Sequence, residues 1–269
     1  MTIQDKMILA RFFNKAMAHL SSGYEEKEVH ITEEGDFSSL PLAFQVEEEW
    51  DEKEFLSDDS IISEINACTA CSLGMSRTKA VPGEGADEAL VMVIGEGPGA
   101  EEDTSGRPFV GRAGQLLDRM LASIGLYREK NCYIANVLKC RPPNNRDPQT
   151  EEIQACAGFL ERQIGQIKPK IILCAGRISA RHILRTEEGV NKLRGKFGEY
   201  DNIPVLVTYH PSALLRDESL KRPAFEDMKL LMARLSGLDK FYAVEVKDLL
   251  EKYAAGDEEF AELIKEYQT

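Results

Sequence analysis

Four apolar runs, ALVMVIG (89–95), CYIANVL (132–138), KIILCAG (170–176) and VLVTYH (205–210), alternate with helical periodicity at about 112–125, 150–166, 177–185 and 223–236. Runs this continuously apolar read as strands covered on both faces, because a half-exposed strand alternates apolar with polar residues. A strand–helix succession favours parallel neighbours, since a parallel pair needs a crossover long enough to hold a helix. The expected fold class is α/β: a three-layer α/β/α sandwich with a central four-stranded parallel sheet. In such sheets ligands collect beyond the carboxyl ends of the strands. Three strand ends here carry polar groups, namely GEGPGAEED, Asn136 and His210, and they are expected to meet in one cleft.

At 269 residues, 43% of them hydrophobic, the chain can bury a full core and still carry appendages. Its net charge of −13 is unevenly spread. Residues 1–60 hold 5 basic and 15 acidic side chains, 61–236 hold 24 and 22, and 237–269 hold 4 and 9. The acidity therefore belongs to the two ends, and the balanced middle leaves nucleic acid open as a partner. The expected organisation is an acidic N-terminal extension (1–60, a helix and a flexible connector), a globular domain (61–236) and an acidic helical tail (237–269). The tail reads as two short amphipathic helices split at Gly256. No apolar run approaches the roughly 20 residues of a membrane span, and the N-terminus mixes charges into its apolar face. A cytoplasmic monomer with no membrane partner is expected.

Six cysteines divide into two groups. Cys132 and Cys174 lie inside apolar runs and read as core residues. Cys68 and Cys71 form a CxxC, and Cys140 and Cys156 bracket KCRPPNNRDPQTEEIQAC among polar residues, where a thiol has little to pack against. Two such pairs brought together complete a four-thiolate cage, for zinc or for an iron–sulfur cluster. Spacing alone does not choose the metal.

The loop VMVIGEGPGA also satisfies GxGxxA after a strand, the loose dinucleotide fingerprint, through Gly95, Gly97 and Ala100. Glu101, Glu102 and Asp103 oppose that reading, because they place anionic charge where a pyrophosphate would sit. The loop does supply carboxylates at a strand end, suited to orienting a water or stabilising a developing cation.

GEGPGAEEDTSGRPFVGRAGQLLDRML, YIANVLKCRPPNNRDP, Cys156 and HPSALLR together resemble the family 4, iron–sulfur-containing uracil-DNA glycosylases, over roughly residues 65–236. The resemblance implies a DNA-repair enzyme that flips uracil out of DNA and hydrolyses its N-glycosidic bond, with uracil-containing DNA as partner. It further implies a 4Fe–4S cluster on Cys68, Cys71, Cys140 and Cys156, remote from the chemistry. Asn136 corresponds to the residue that reads uracil, since a side-chain amide can donate to O4 and accept from N3–H, a pairing cytosine mismatches. Phe109 corresponds to the aromatic that stacks on the flipped base. His210 corresponds to the donor that stabilises charge on uracil O2, for which neutral imidazole suffices.

Where a better-known branch of the superfamily carries a catalytic aspartate in the first loop, this chain has Gly97. Glu96 is then the first candidate for orienting water, with Glu102 and Asp103 next, while Gly97 and Pro98 line the base pocket. Leu214 or Leu215 is expected to wedge into the DNA minor groove, with Arg216, Arg141 and Arg146 toward phosphates. After Asn136 the chain lacks the histidine-containing insertion that traps the sugar covalently in a related branch, so turnover is expected. The alternative on the same fold is a non-catalytic or redox-responsive iron–sulfur module that binds nucleic acid.

Overall fold

The computed structural model describes residues 58–255 together with Asp257 and Phe260. Residues 1–57, and with them nearly all of the expected N-terminal extension, lie outside the described residues, as does most of the chain after Ala255.

Six strands form one sheet among the described residues: β1 (Glu84–Gly85), β2 (Val91–Gly95), β3 (Cys132–Asn136), β4 (Ile171–Ala175), β5 (Phe197–Tyr200) and β6 (Ile203–Thr208). Their spatial order is β1-β3-β2-β4-β6-β5. The inner four are parallel and correspond to the four apolar runs. The expected four-stranded parallel sheet is therefore extended at each edge by an antiparallel strand, making it mixed. Neither edge strand has an apolar run. β1 is two residues long, and β5 is largely solvent-facing, so neither carried a hydrophobic signal. The β5–β6 hairpin turns at Asp201 and Asn202, both left-handed (φ 47° and 65°), which is the backbone a two-residue hairpin requires.

Side chains of the inner strands alternate strictly between two cores. Val91, Val93, Cys132, Ile134, Ile171, Leu173 and Leu206 face one, which is covered by the helices Arg112–Ala122 and Lys221–Leu238. Met92, Ile94, Tyr133, Ala135, Ile172, Cys174, Val205 and Val207 face the other, covered by Thr150–Ile167 and Arg177–Leu184. Strands with period 2 and helices on both faces explain why the runs are uniformly apolar. Cys132 and Cys174 are fully buried on opposite faces, and burial pushes both thiols far above their ordinary range.

The C-terminal segment departs from expectation. Its described helices are Lys240–Glu245 and Lys247–Ala254, with an unexpected break at Val246; Gly256, where the split was expected, lies outside the described residues. Tyr242, Val246 and Leu250 are buried in the first core, where Tyr242 Oη donates to Ile124 O and Val246 packs on Gly125. The break follows from Val246 turning inward. This part of the chain belongs to the core instead of trailing from it.

Candidate active site

The carboxyl ends of the parallel strands open into a cleft of about 700 Å³. Gly95 and Asn136 end β2 and β3 as register partners, and β4 and β6 end side by side at Ala175 and Thr208. Glu96, Asn136 and His210 all line this cleft, together with Gly97, Pro98 and Phe109. Parallel strands bring them together because every strand exits on the same side of the sheet.

Asn136 is 2% exposed, and its Oδ1 has no hydrogen-bond partner. A buried acceptor without a donor costs free energy, so its position on the cleft wall marks it for a ligand donor. Behind it, the fully buried Lys139 donates to Asn136 O (2.8 Å) and Gln163 Oε1 (2.6 Å). Burial pushes that ammonium down to about 7. Gln163 Nε2 in turn donates to Pro82 O and Tyr133 Oη. A Cβ on Gly95 would fall 2.3 Å from Asn136 Oδ1 and 2.5 Å from the Phe109 ring. Gly95, which the dinucleotide reading used for a phosphate, is instead the space in which amide and ring approach each other.

The His210 ring lies 5.6 Å from the Phe109 ring, tilted by 33°. Its Nδ1 accepts from the Ser212 backbone N–H (3.2 Å) and lies 2.8 Å from Ser212 Oγ. That pattern assigns the proton to Nε2, leaving one N–H as a donor. Burial first, and then the Arg216 charge, push the imidazole down to about 4, so it is neutral at pH 7. Gly176 (φ 106°) backs the ring; a Cβ there would meet His210 Cβ at 2.9 Å.

The three candidate carboxylates of the first loop, Glu96, Glu102 and Asp103, have separate fates. Glu96 has no hydrogen-bond partner among the described residues. Its carboxyl is raised by burial and by Asp147, with Arg177 opposing. Asp147 and Arg177 pair at 2.6 Å on the same cleft wall. Glu102 borders the cleft, but its oxygens accept the backbone N–H groups of Gly99, Val110 and Gly111. Asp103 is buried and accepts from Thr78 N. Of the three candidates, the geometry therefore leaves Glu96 with a free carboxylate and removes Glu102 and Asp103 as water-orienting groups. At Gly97 an added Cβ would make only ordinary contact with Leu138, so packing does not exclude a side chain there.

Of the residues expected to meet DNA, Leu214 is 2% exposed and packed inward, whereas Leu215 is 39% exposed. They are successive residues of the helix Pro211–Arg216 and cannot share a face, so Leu214 is corrected to a core residue. Arg216 is exposed at the cleft rim. Arg146 is held in a bidentate ion pair with the buried Glu152 (2.6 and 2.9 Å), which removes it as a free phosphate ligand. Arg141 donates to Asn145 Oδ1 and is half-exposed.

Cys68, Cys71, Cys140 and Cys156 line one small cavity. Cys140 and Cys156 are buried beside Leu73 and Leu138, so these two do find apolar packing, contrary to expectation. Among the described residues no three metal-ligating side chains form a tight preformed group. The donor set nevertheless fits a thiolate-held group: all four are free cysteines, and Arg77 donates to Cys140 Sγ at 3.0 Å. The Arg77 guanidinium beside the sulfurs matches the negative charge such a centre would carry.

Residues 82–230 match the family model of the uracil DNA glycosylase superfamily. A type-4 uracil-DNA glycosylase of Archaeoglobus fulgidus is 44% identical over 179 residues, covering 64% of this chain and 89% of that protein. Those of Sulfurisphaera tokodaii (46% over 180 residues, 64% and 81%) and Thermotoga maritima (45% over 174 residues, 63% and 90%) are similarly close. An α/β sheet with a cleft at its carboxyl edge, the family match and this level of identity have one reading: the chain belongs to the uracil-DNA glycosylase superfamily. Within it, the relatives place the chain in the type-4 branch.

Proposed function

We propose that the cleft excises uracil from DNA, hydrolysing the N-glycosidic bond to release the free base and leave an abasic site. The observation that carries this reading is the buried, partnerless Oδ1 of Asn136 beside the Phe109 ring. Uracil N3–H supplies the missing donor, and the Asn136 amide donates to O4. Cytosine has no hydrogen at N3, so it leaves the acceptor unsatisfied, and unpaired buried polar groups give strong discrimination. Phe109 stacks on the flipped base, a contact worth about 1–3 kcal/mol per base but tolerant of base identity.

As the bond from N1 to the sugar breaks, its electron pair moves into the uracil ring toward O2. His210, neutral with its proton on Nε2, donates there without transferring a proton. The sugar gains oxocarbenium character, which the Glu96 carboxylate stabilises while accepting a proton from the water that adds to the sugar carbon. Leu215 and Arg216 at the rim meet the DNA, the leucine as wedge and the arginine toward phosphate.

Cys68, Cys71, Cys140 and Cys156 are proposed to hold a 4Fe–4S cluster, which stiffens the segment from Cys140 to Cys156 and enters no step of the reaction. The purified protein is then brown with broad visible absorption; a colourless, zinc-containing preparation defeats that part. For the activity, the protein is incubated with a uracil-containing oligonucleotide and abasic sites are cleaved with alkali. Scission at uracil and not at cytosine is expected, and no scission by cluster-intact protein overturns the proposal.

A further inference from the structure

Phe109 has a left-handed backbone (φ 53°), uncommon for a residue with a bulky side chain. Two charged side chains of opposite sign hold it. Arg128, 8% exposed, uses all five of its N–H groups. It donates to Pro108 O (3.0 Å) and Phe109 O (3.0 Å), twice to Asp118 Oδ1 (2.7 and 3.1 Å), and to Glu84 Oε1. Immediately downstream, Glu102 Oε1 accepts the N–H groups of Val110 (2.9 Å) and Gly111 (3.0 Å). The carbonyls of residues 108 and 109 are thus fixed by a cation, and the amides of 110 and 111 by an anion. Arg128 does not line the cleft, and of its hydrogen-bond partners Phe109 alone does.

We propose that Arg128 and Glu102 are positioning residues for excision, a two-sided clamp that locks the strained Phe109 backbone so that its ring forms a fixed wall of the uracil pocket. The inference rests on the reading of Phe109 as the stacking residue. Positional precision is worth this much structure because about 1 Å of misplacement at a reacting site can cost on the order of 100-fold in rate.

The test is a double-mutant cycle on kcat/KM for a uracil oligonucleotide, using wild type, F109A, R128K and F109A/R128K, each below its own melting temperature. Lysine keeps the charge but has three donors and no planar fork. F109A is expected to lose about 10-fold or more. R128K is expected to lose roughly 10- to 100-fold alone and under about 2-fold when F109A is already present. Should R128K not yield folded protein, judged by melting and visible absorption, E102Q enters the same cycle, because glutamine keeps the volume but removes the charge and must turn its NH2 toward either the Val110 and Gly111 amides or that of Gly99. A full F109A effect with an unaffected clamp variant overturns the clamp alone. Equal losses in both backgrounds overturn it as well, since a merely structural role is independent of the ring. An inert F109A overturns the stacking reading and the clamp together.

Discussion

Replacing Gly114 with alanine sets two effects of opposite sign against each other. Gly114 lies in the helix Arg112–Ala122, where alanine is favoured over glycine by about 1 kcal/mol on propensity. The Cβ it introduces, however, would sit 1.8 Å from Phe109 O and 2.0 Å from Phe109 C, so one of two backbones must move. The Phe109 carbonyl is the one that accepts from Arg128, so moving it weakens a charge-assisted bond, about 1.5–3 kcal/mol. Overpacking adds about 1–3 kcal/mol. After the propensity gain the expected net loss is about 3 kcal/mol, which in a domain of this size lowers the melting temperature by roughly 6–12 °C. The same shift moves the Phe109 ring, and kcat/KM on a uracil oligonucleotide is expected to fall about 100-fold. Differential scanning calorimetry and the alkali-cleavage assay read the two numbers. An unchanged or raised melting temperature with undiminished kcat/KM refutes the close approach of Phe109 to this helix.

The remaining predictions concern titration and the cleft rim. His210 is depressed to about 4 from 6.5, so the unfolded state takes up its proton first: stability is intact above pH 6.5 and falls by about 3 kcal/mol as the pH drops to 4. Urea titrations at several pH values should show that slope, and H210N should remove it. Asp147 raises the Glu96 carboxyl and Arg177 lowers it, so D147N should move the acidic limb of the kcat/KM profile to lower pH and R177Q to higher pH; shifts in the same direction would exclude Glu96 as the group titrating. Leu214→Ala should cost about 2–5 kcal/mol of stability, as for a buried leucine. Leu215→Ala should leave stability within about 0.5 kcal/mol while lowering excision from duplex more than from single strands. Circular dichroism melts with paired substrates separate the two leucines.

The inner sheet was legible because each of its strands is covered twice and reads as a solid apolar run, from Val91–Gly95 to Ile203–Thr208. β1 and β5 were not, since a two-residue edge and a largely solvent-facing strand carry no such pattern, although Asp201–Asn202 offered a turn signal. The cleft residues Glu96, Asn136, Phe109 and His210 could be named from their motifs, and strand-end position told where they would gather. Among neighbouring alternatives the motifs were silent. Glu96, Glu102 and Asp103 are alike in sequence, and which is free depends on whether Gly99, Val110, Gly111 and Thr78 point amides at them.

Sequence by itself determined the three-layer α/β arrangement, the family, and the chemistry-bearing residue types, because periodicity and motif spacing are properties of local chain. Only the tertiary structure decided that Glu102 ties a loop, that Arg146 belongs to Glu152, that Leu214 faces inward, and that Arg128, with no motif around it, grips the backbone of Phe109. Those assignments depend on hydrogen bonds and burial between segments that meet only after folding. A side chain's type fixes what it can donate or accept, but its partner is chosen by what the fold brings within about 3 Å.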